Sequence, residues 1–112
     1  MRKMEVKDAK PYEAPNHFAM VALSLHGKES GSEELMLGLS HFLPGGGTKY
    51  EASPLERIYF VLDGEITVKT GSEEIVLRAW DSLHIKKDEA REIINATNKP
   101  ASMLVVIAYP HI

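Results

Sequence analysis

Short apolar runs alternate with polar, turn-rich segments along most of the chain. Gly38 interrupts one of the apolar runs and argues against a helix there, and no run keeps a sustained helical period. Many short strands at even spacing are typical of a β-sandwich or β-barrel. We therefore predict an all-β fold. The predicted strands lie within residues 19–25, 34–43, 58–62, 65–69, 74–78, 82–85, 92–94 and 103–109.

Two glycine-containing segments predict turns between these strands. Asp63-Gly64 lies between β-rich runs, and such a pair predicts a type I′ hairpin because both central residues of that turn need positive φ. Gly45-Gly46-Gly47 is followed neither by a Lys-Ser/Thr pair nor by a predicted helix, so a phosphate-binding loop is a poor interpretation. We interpret the three glycines as a flexible turn at the mouth of the barrel.

The length and composition predict one folded unit with an N-terminal extension. The chain has 112 residues, of which 44% are hydrophobic, which is enough for one core and leaves little room for a second. Residues 8–18 contain two prolines and no helical period. We predict an extended arm over residues 1–18 and a barrel domain over residues 19–112.

Charge and cysteine content exclude several classes of function. The net charge is −3 and the charges are scattered without a basic run, so we expect no nucleic-acid partner. The chain has no cysteine and therefore no disulfide, thiolate metal site or thiol nucleophile. No window approaches the roughly 20 apolar residues of a membrane helix. We expect a soluble cytoplasmic protein with no membrane partner.

The segment from residue 43 to residue 65 resembles the first signature of the cupin superfamily. In that signature a Pro-Gly turn precedes a His-x-His pair, a glutamate and a strand that closes on Gly-Glu, and Pro44-Gly45 and residues 59–65 match it. The second signature is echoed over residues 79–95, where Asp81 and Asn95 match. The resemblance covers roughly residues 20–109. It implies a cupin double-stranded β-helix, a jelly-roll barrel of two antiparallel sheets around a cavity.

The resemblance also implies that the usual metal ligands have been replaced. The two histidine positions of the first signature fall on Glu51 and Ser53, and its glutamate position falls on Arg57. The histidine position of the second signature falls on Arg91. Guanidinium groups have no lone pair to offer and repel a cation. We therefore expect no metal and no other cofactor.

The same substitutions predict an anion-binding cavity, because a guanidinium matches a carboxylate or phosphate through paired hydrogen bonds. Successive residues of a strand point to opposite faces, so residues an even number of positions apart share a face. By this rule one set of residues could line one face, and so could Arg91 and Asn95; the first set is Glu51, Ser53, Arg57 and Tyr59. The predicted ligand is a small anionic metabolite. The predicted binding residues are Ser53, Arg57, Arg91 and Asn95. Any catalysis would be proton transfer by Glu51, Tyr59 or His84, of isomerase or lyase type.

Three alternatives stand beside this interpretation. Glu51 paired with Arg57 or Arg91 would fill the barrel with a buried ion pair that has no function. The barrel could also be the scaffold of a non-catalytic dimeric accessory or binding protein. A third possibility keeps a metal at a rearranged site of His41, His84 and Glu51.

The remaining expectations concern assembly and the other side chains. Small cupins commonly form dimers, so we expect a homodimer built through the N-terminal arm and an exposed sheet. Trp80 is interpreted as a packing or dimer-contact residue, and Arg57 has a second potential partner in the neighbouring Glu56. His17, His26 and His111 are expected to be solvated.

Overall fold

A computed structural model describes residues 1–109 of the chain. These residues form antiparallel β-strands joined by loops and two short 3-10 turns at Val6–Asp8 and Lys28–Ser30. The all-β jelly-roll prediction is confirmed. The strands are β1 Lys10–Tyr12, β2 His17–His26, β3 Leu35–Glu51, β4 Arg57–Asp63, β5 Glu65–Lys69, β6 Glu74–Arg78, β7 Ser82–Ile85, β8 Arg91–Ile94 and β9 Ala101–Ala108.

The long strand β3 connects the two halves of the barrel. One of its edges pairs with β2. Its other edge pairs with β9 over residues 35–42 and with β8 over residues 47–51. Beyond β9 the sheet continues through β4 to β7, and beyond β8 it continues through β5 to β6. Because β3 changes partner partway along its length, its two ends belong to opposite walls of the barrel.

The three glycines lie inside β3, at the point where its partner changes. Gly46 and Gly47 are buried, and Gly45 has φ +81°. A Cβ atom on Gly47 would lie 1.9 Å from the carbonyl oxygen of Ile93, and one on Gly46 would lie 2.2 Å from that of Ala19. The predicted flexible turn is therefore wrong: the glycines allow β2 and β8 to approach the backbone of β3 from both sides.

Asp63-Gly64 does not form the predicted hairpin. β4 pairs with β7 and β9, whereas β5 pairs with β6 and β8, so the two strands that flank the turn belong to opposite walls. Gly64 has φ +81°, but Asp63 stays in the ladder opposite Ser102. The hairpin in this region instead joins β5 to β6, through a turn closed by the Thr70 N–H donating to the Glu73 carbonyl at 2.9 Å.

The core fills the space between the two walls. Alternate residues of the strands point inward, as the period of two requires. The buried apolar cluster consists of Phe42, Tyr59, Val61, Ile66, Val68, Leu77, Ile85, Ile93, Ala101, Met103 and Val105.

The opposite, outer face of the β2-β3-β9-β4 wall is also apolar. Leu23 pairs with Leu39, Leu39 with Leu104, and Leu104 with Phe60, which gives an apolar row across four strands. Ile58, beside this row on β4, is 44% exposed. Trp80 is 79% exposed and contacts Phe60 edge to face, with ring centroids 5.6 Å apart.

The N-terminal segment pairs with its own barrel in this structure. Lys10 and Tyr12 of β1 lie opposite Ser24 and Ala22 of β2, and β2 itself begins at His17. The division of the chain after residue 18 stays a prediction. Among residues 1–109, no helical segment has the length and apolar character needed to cross a membrane.

The close approach at Gly47 predicts a large effect of one added methyl group. Gly47→Ala should lower the free energy of unfolding by at least about 2 kcal/mol, because the Cβ atom would overlap the Ile93 carbonyl and the strand backbones must move apart. Gly71→Ala is the matched control, because its Cβ atom would meet nothing closer than the Tyr50 hydroxyl at 3.5 Å. Urea denaturation of both variants measures the difference. Equal stabilities would contradict the close-approach explanation.

Candidate functional site

One cavity of about 390 Å³ lies inside the barrel, lined by strands β1, β2, β3, β4, β8 and β9 and by the segments that join β1 to β2 and β3 to β4. Its apolar side is formed by Phe42, Ile93, Met103, Val105 and Ile107. Its polar side is formed by Tyr12, His17, Glu51, Ser53, Arg57, Tyr59 and Arg91. The cavity therefore combines an apolar wall with charged groups of both signs.

Arg91 is the most deeply buried charged residue of the cavity. It begins β8 opposite Glu51 of β3 and is only 2% exposed. Its Nε donates to the Tyr59 hydroxyl at 3.1 Å, and its Nη1 donates to the Glu51 carbonyl at 3.0 Å. Within residues 1–109, Nη2 makes no hydrogen bond. The guanidinium is thus held in position while part of its donor fork stays unused.

Arg57 begins β4 and enters the same cavity from a second strand. Its Nη2 donates to the Ser53 hydroxyl at 2.6 Å, and its Nε lies 3.5 Å from the Leu55 carbonyl. Ser53 also accepts from the Leu55 N–H at 3.2 Å, so the loop before β4 turns its polar groups toward this guanidinium. Glu56 contacts His84 instead of Arg57.

The buried ion pair that the sequence left open is not formed. Within residues 1–109, no carboxylate oxygen lies within 4.0 Å of the guanidinium nitrogens of Arg57 or Arg91. The Glu51 carboxylate instead accepts from Asn16 Nδ2 at 2.5 Å. The described part of the chain therefore leaves two guanidiniums in one cavity without a paired anion.

His17 is a cavity residue that the sequence analysis missed. Its expected solvation is wrong, because the side chain is partly buried and lines the cavity. The reason is a bulge in the pairing of β2 with β3 between Phe18 and Met20, where residues 43–46 of β3 face the single residue Ala19, which has φ +50°. The bulge reverses the alternation, so His17 points inward together with Met20.

The surroundings of His17 fix its protonation state. Burial lowers the pKa of the imidazole, and the charges of Arg91 and Arg57 lower it further against the opposing effects of the Pro15 carbonyl and Glu51. The ring is therefore neutral at neutral pH. Nδ1 lies 2.8 Å from the Pro15 carbonyl, and a carbonyl only accepts, so Nδ1 carries the hydrogen and Nε2 keeps its lone pair.

The two tyrosines of the cavity provide hydroxyl groups. Burial raises the pKa of Tyr12, so its phenol stays protonated. The Tyr59 oxygen accepts the hydrogen bond from Arg91, which leaves its own hydrogen free to donate. Both hydroxyl groups are thus donors beside the guanidiniums.

Two predicted site residues lie away from the cavity. Asn95 is fully buried, and its Nδ2 donates to the carbonyls of Phe42 and Lys99 at 3.2 and 2.7 Å, so it holds the loop after β8. His84 is exposed on the outer face of β7, where it contacts Glu56. The structure thus brings together Glu51, Ser53, Arg57, Tyr59 and Arg91, and separates them from Asn95 and His84.

The other histidines also lie outside the cavity or outside the described residues. His41 is exposed and its Nδ1 lies 2.7 Å from the Ser102 hydroxyl. His26 is partly buried, rather than solvated as expected, with Nδ1 3.1 Å from the Ser30 hydroxyl. His111 falls outside residues 1–109.

The residues of the cavity do not fit a bound metal ion. No three histidine, aspartate or glutamate side chains of the described residues come together as ligands. His41 and His84 face outward whereas Glu51 faces the cavity, so the rearranged site is not assembled. At the positions that the resemblance equates with metal ligands, Arg57 and Arg91 present donors and positive charge.

Comparisons with known proteins agree with this architecture. A 1.2 Å structure of the polyketide cyclase RemF from Streptomyces resistomycificus has a TM-score of 0.86 and 17% identity, covering 96% of this chain and 79% of that one. A predicted oxalate decarboxylase from Thermotoga maritima has a TM-score of 0.81 and 18% identity, covering 97% of this chain and 100% of that one. At these identities the likeness is one of fold.

A relative in sequence extends the likeness over almost the whole chain. It is named Beta-D-galactosidase Rv1717, comes from Mycobacterium tuberculosis, and is 38% identical over 111 residues, which are 98% of this chain and 96% of the relative. The family model described as Cupin domain matches residues 38–107, from near the start of β3 to near the end of β9. The chain therefore belongs to the cupin family.

Proposed function

We propose that the protein binds a small anionic metabolite in the barrel through Arg57 and Arg91. The observation that carries the proposal is the pair of guanidiniums in one cavity, with no carboxylate of residues 1–109 within 4.0 Å of either. A buried charge without a partner is unfavourable, and a bound carboxylate or phosphate supplies the missing charge. The unused Nη2 of Arg91 is available to such a ligand.

The size and lining of the cavity support a small organic ligand. Its volume of about 390 Å³ lies within the range of about 300–1,000 Å³ that is usual for small-molecule sites. The anionic group would contact the guanidiniums, and the carbon skeleton would pack on Phe42, Met103 and Val105. Because the net charge of the chain is −3, the attraction of an anionic ligand comes from the arginines of the cavity and not from the protein as a whole.

Proton transfer is the chemistry that this site supports best. Glu51 is an acceptor and Tyr59 a donor, and both line the cavity beside the guanidiniums. A base that removes a proton from carbon next to a carbonyl generates an oxyanion, which guanidinium groups stabilise. The proposed reaction class is isomerisation or elimination without a metal. The proposal leaves out His84, which contacts Glu56 on the outer face.

Ligand-induced stabilisation tests the binding proposal. A panel of small carboxylates and phosphates should include a compound that raises the melting temperature by about 5 °C at roughly ten times its Kd. Arg57→Ala and Arg91→Met should abolish that shift, because each removes half of the positive charge. Arg78→Gln, at an exposed arginine paired with Glu65 on the outside, is the matched control. No shift across the panel would favour the non-catalytic accessory protein instead.

Galactoside hydrolysis is the second candidate, favoured by the 38% identity to the named galactosidase. Glycosidases usually use two carboxyl groups. Among residues 1–109 the cavity contains one, that of Glu51, which ranks this activity below anion binding. A chromogenic β-galactoside should be cleaved by the unaltered protein, and Glu51→Gln should reduce the rate at least about 100-fold. Equal rates with and without protein would eliminate this candidate.

We further propose a cytoplasmic homodimer that uses the arm and the apolar outer face of the β2-β3-β9-β4 wall. The row of Leu23, Leu39, Leu104 and Phe60, with Trp80 beside it, supports a buried interface there. The lack of cysteine accords with a reducing compartment.

Solution mass tests the dimer. Sedimentation of the unaltered protein should give about twice the chain mass of 12.5 kDa. Ile58→Glu should shift the mass toward one chain, because a carboxylate would be buried in the apolar interface. Val76→Glu is the control, because Val76 is 38% exposed on β6, in the other wall. A single-chain mass for the unaltered protein would contradict the proposal.

A further inference from the structure

The cavity contains hydrogen-bond acceptors that an anion does not use. Arg57, Arg91 and Tyr59 supply donors, whereas His17 and Glu51 supply lone pairs. A plain organic carboxylate has only acceptors itself and would gain nothing from either group. The presence of both kinds of group in one cavity indicates a ligand that carries hydrogen-bond donors as well as negative charge.

His17 offers a single acceptor in a fixed direction. The hydrogen on Nδ1 is directed to the Pro15 carbonyl at 2.8 Å, which orients the ring and leaves Nε2 as the lone-pair atom. Within residues 1–109, Nε2 makes no hydrogen bond. The β-bulge at Ala19 directs this ring into the cavity.

Glu51 offers a second acceptor, held by the same turn. Asn16 has φ +61°, directly precedes His17, and donates from Nδ2 to Glu51 Oε2 at 2.5 Å. A carboxylate has about four lone-pair sites, so the other oxygen of Glu51 stays available. Residues 15–17 therefore position an imidazole acceptor and a carboxylate acceptor on the same side of the cavity.

We propose that the ligand is a polyhydroxylated acid, in which hydroxyl groups of the carbon skeleton donate to His17 Nε2 and to Glu51 while the anionic group contacts Arg57 and Arg91. This inference rests on the proposed anion binding and adds a second requirement to it. A carboxylate and a phosphate ester meet the first requirement equally. The hydroxyl groups distinguish the ligand from a plain organic acid.

Two acids with the same ring and charge test the hydroxyl requirement. Quinate is cyclohexanecarboxylate with four added hydroxyl groups, and glucuronate provides a second arrangement of hydroxyls. By calorimetry, at least one hydroxylated acid should bind at least about tenfold more tightly than cyclohexanecarboxylate, as expected for two further hydrogen bonds. A parallel comparison of the affinities for glucose 6-phosphate and for cyclohexyl phosphate, whose ring has no hydroxyl groups, tests the same requirement with a phosphate group.

Variants of His17 test whether this residue accepts a hydrogen bond from the hydroxyl groups of the ligand. His17→Phe keeps an aromatic ring but removes the acceptor. It should lower the affinity for the hydroxylated acid about fivefold and leave the affinity for cyclohexanecarboxylate unchanged. His17→Gln retains an acceptor oxygen and should recover part of the loss. His84→Phe, at an exposed position on the outer face, is the control and should bind both acids like the unaltered protein.

The possible failures are distinguishable. If cyclohexanecarboxylate and cyclohexyl phosphate bind as tightly as their hydroxylated counterparts, the hydroxyl requirement is overturned while anion binding stands. If no acid or phosphate binds, the anion site itself fails. If His17→Phe weakens both acids equally, His17 is only a wall of the cavity and its role as acceptor is overturned. If His17→Phe does not fold, the affinities of the unaltered protein for the hydroxylated and plain acids still test the hydroxyl requirement. The same two affinities measured with His17→Gln then test the role of His17.

Discussion

The close approach of three backbones around Gly46 and Gly47 is the constraint on which the rest of the barrel depends. β2 and β8 reach β3 from opposite edges there, and a side chain at Gly47 would occupy the position of a carbonyl oxygen. This contact lets one strand serve both walls. In the same ladder, beyond a register shift between Thr48 and Glu51, Glu51 lies opposite Arg91. The buried guanidinium therefore belongs to the strand that makes the close contact at Gly47.

The cavity places two guanidiniums inside the barrel of a cupin. The positions that resemble metal-ligand positions still converge, because the ladder between β3 and β8 and the start of β4 set their directions. Arg91 keeps its place through the Tyr59 hydroxyl and the Glu51 carbonyl, which are neutral partners. Neutral partners satisfy hydrogen-bonding groups without cancelling charge. These partners thus leave the positive charge of Arg91 uncancelled.

Strand alternation predicted much of the fold and much of the site. The parity of Ser53, Arg57, Tyr59 and Arg91 is a local property, and the structure directs these side chains to one cavity. The errors concern pairings between distant segments. Asp63-Gly64 has the composition of a hairpin, but β9 and β7 occupy the edges of β4. Which strands become neighbours is decided by the whole barrel, and a two-residue signal does not contain that information.

The bulge at Ala19 has a consequence for how ligand chemistry varies within the family. The matched family region begins at residue 38, whereas His17 and Tyr12 come from the N-terminal segment before it. Two proteins with the same barrel motifs can therefore present different groups to a ligand through this segment alone. If Ala19 adopted regular extended geometry, strict alternation from Met20 would turn Phe18 inward in place of His17. The groups that the N-terminal segment adds to the cavity can thus change while the strands of the barrel stay the same.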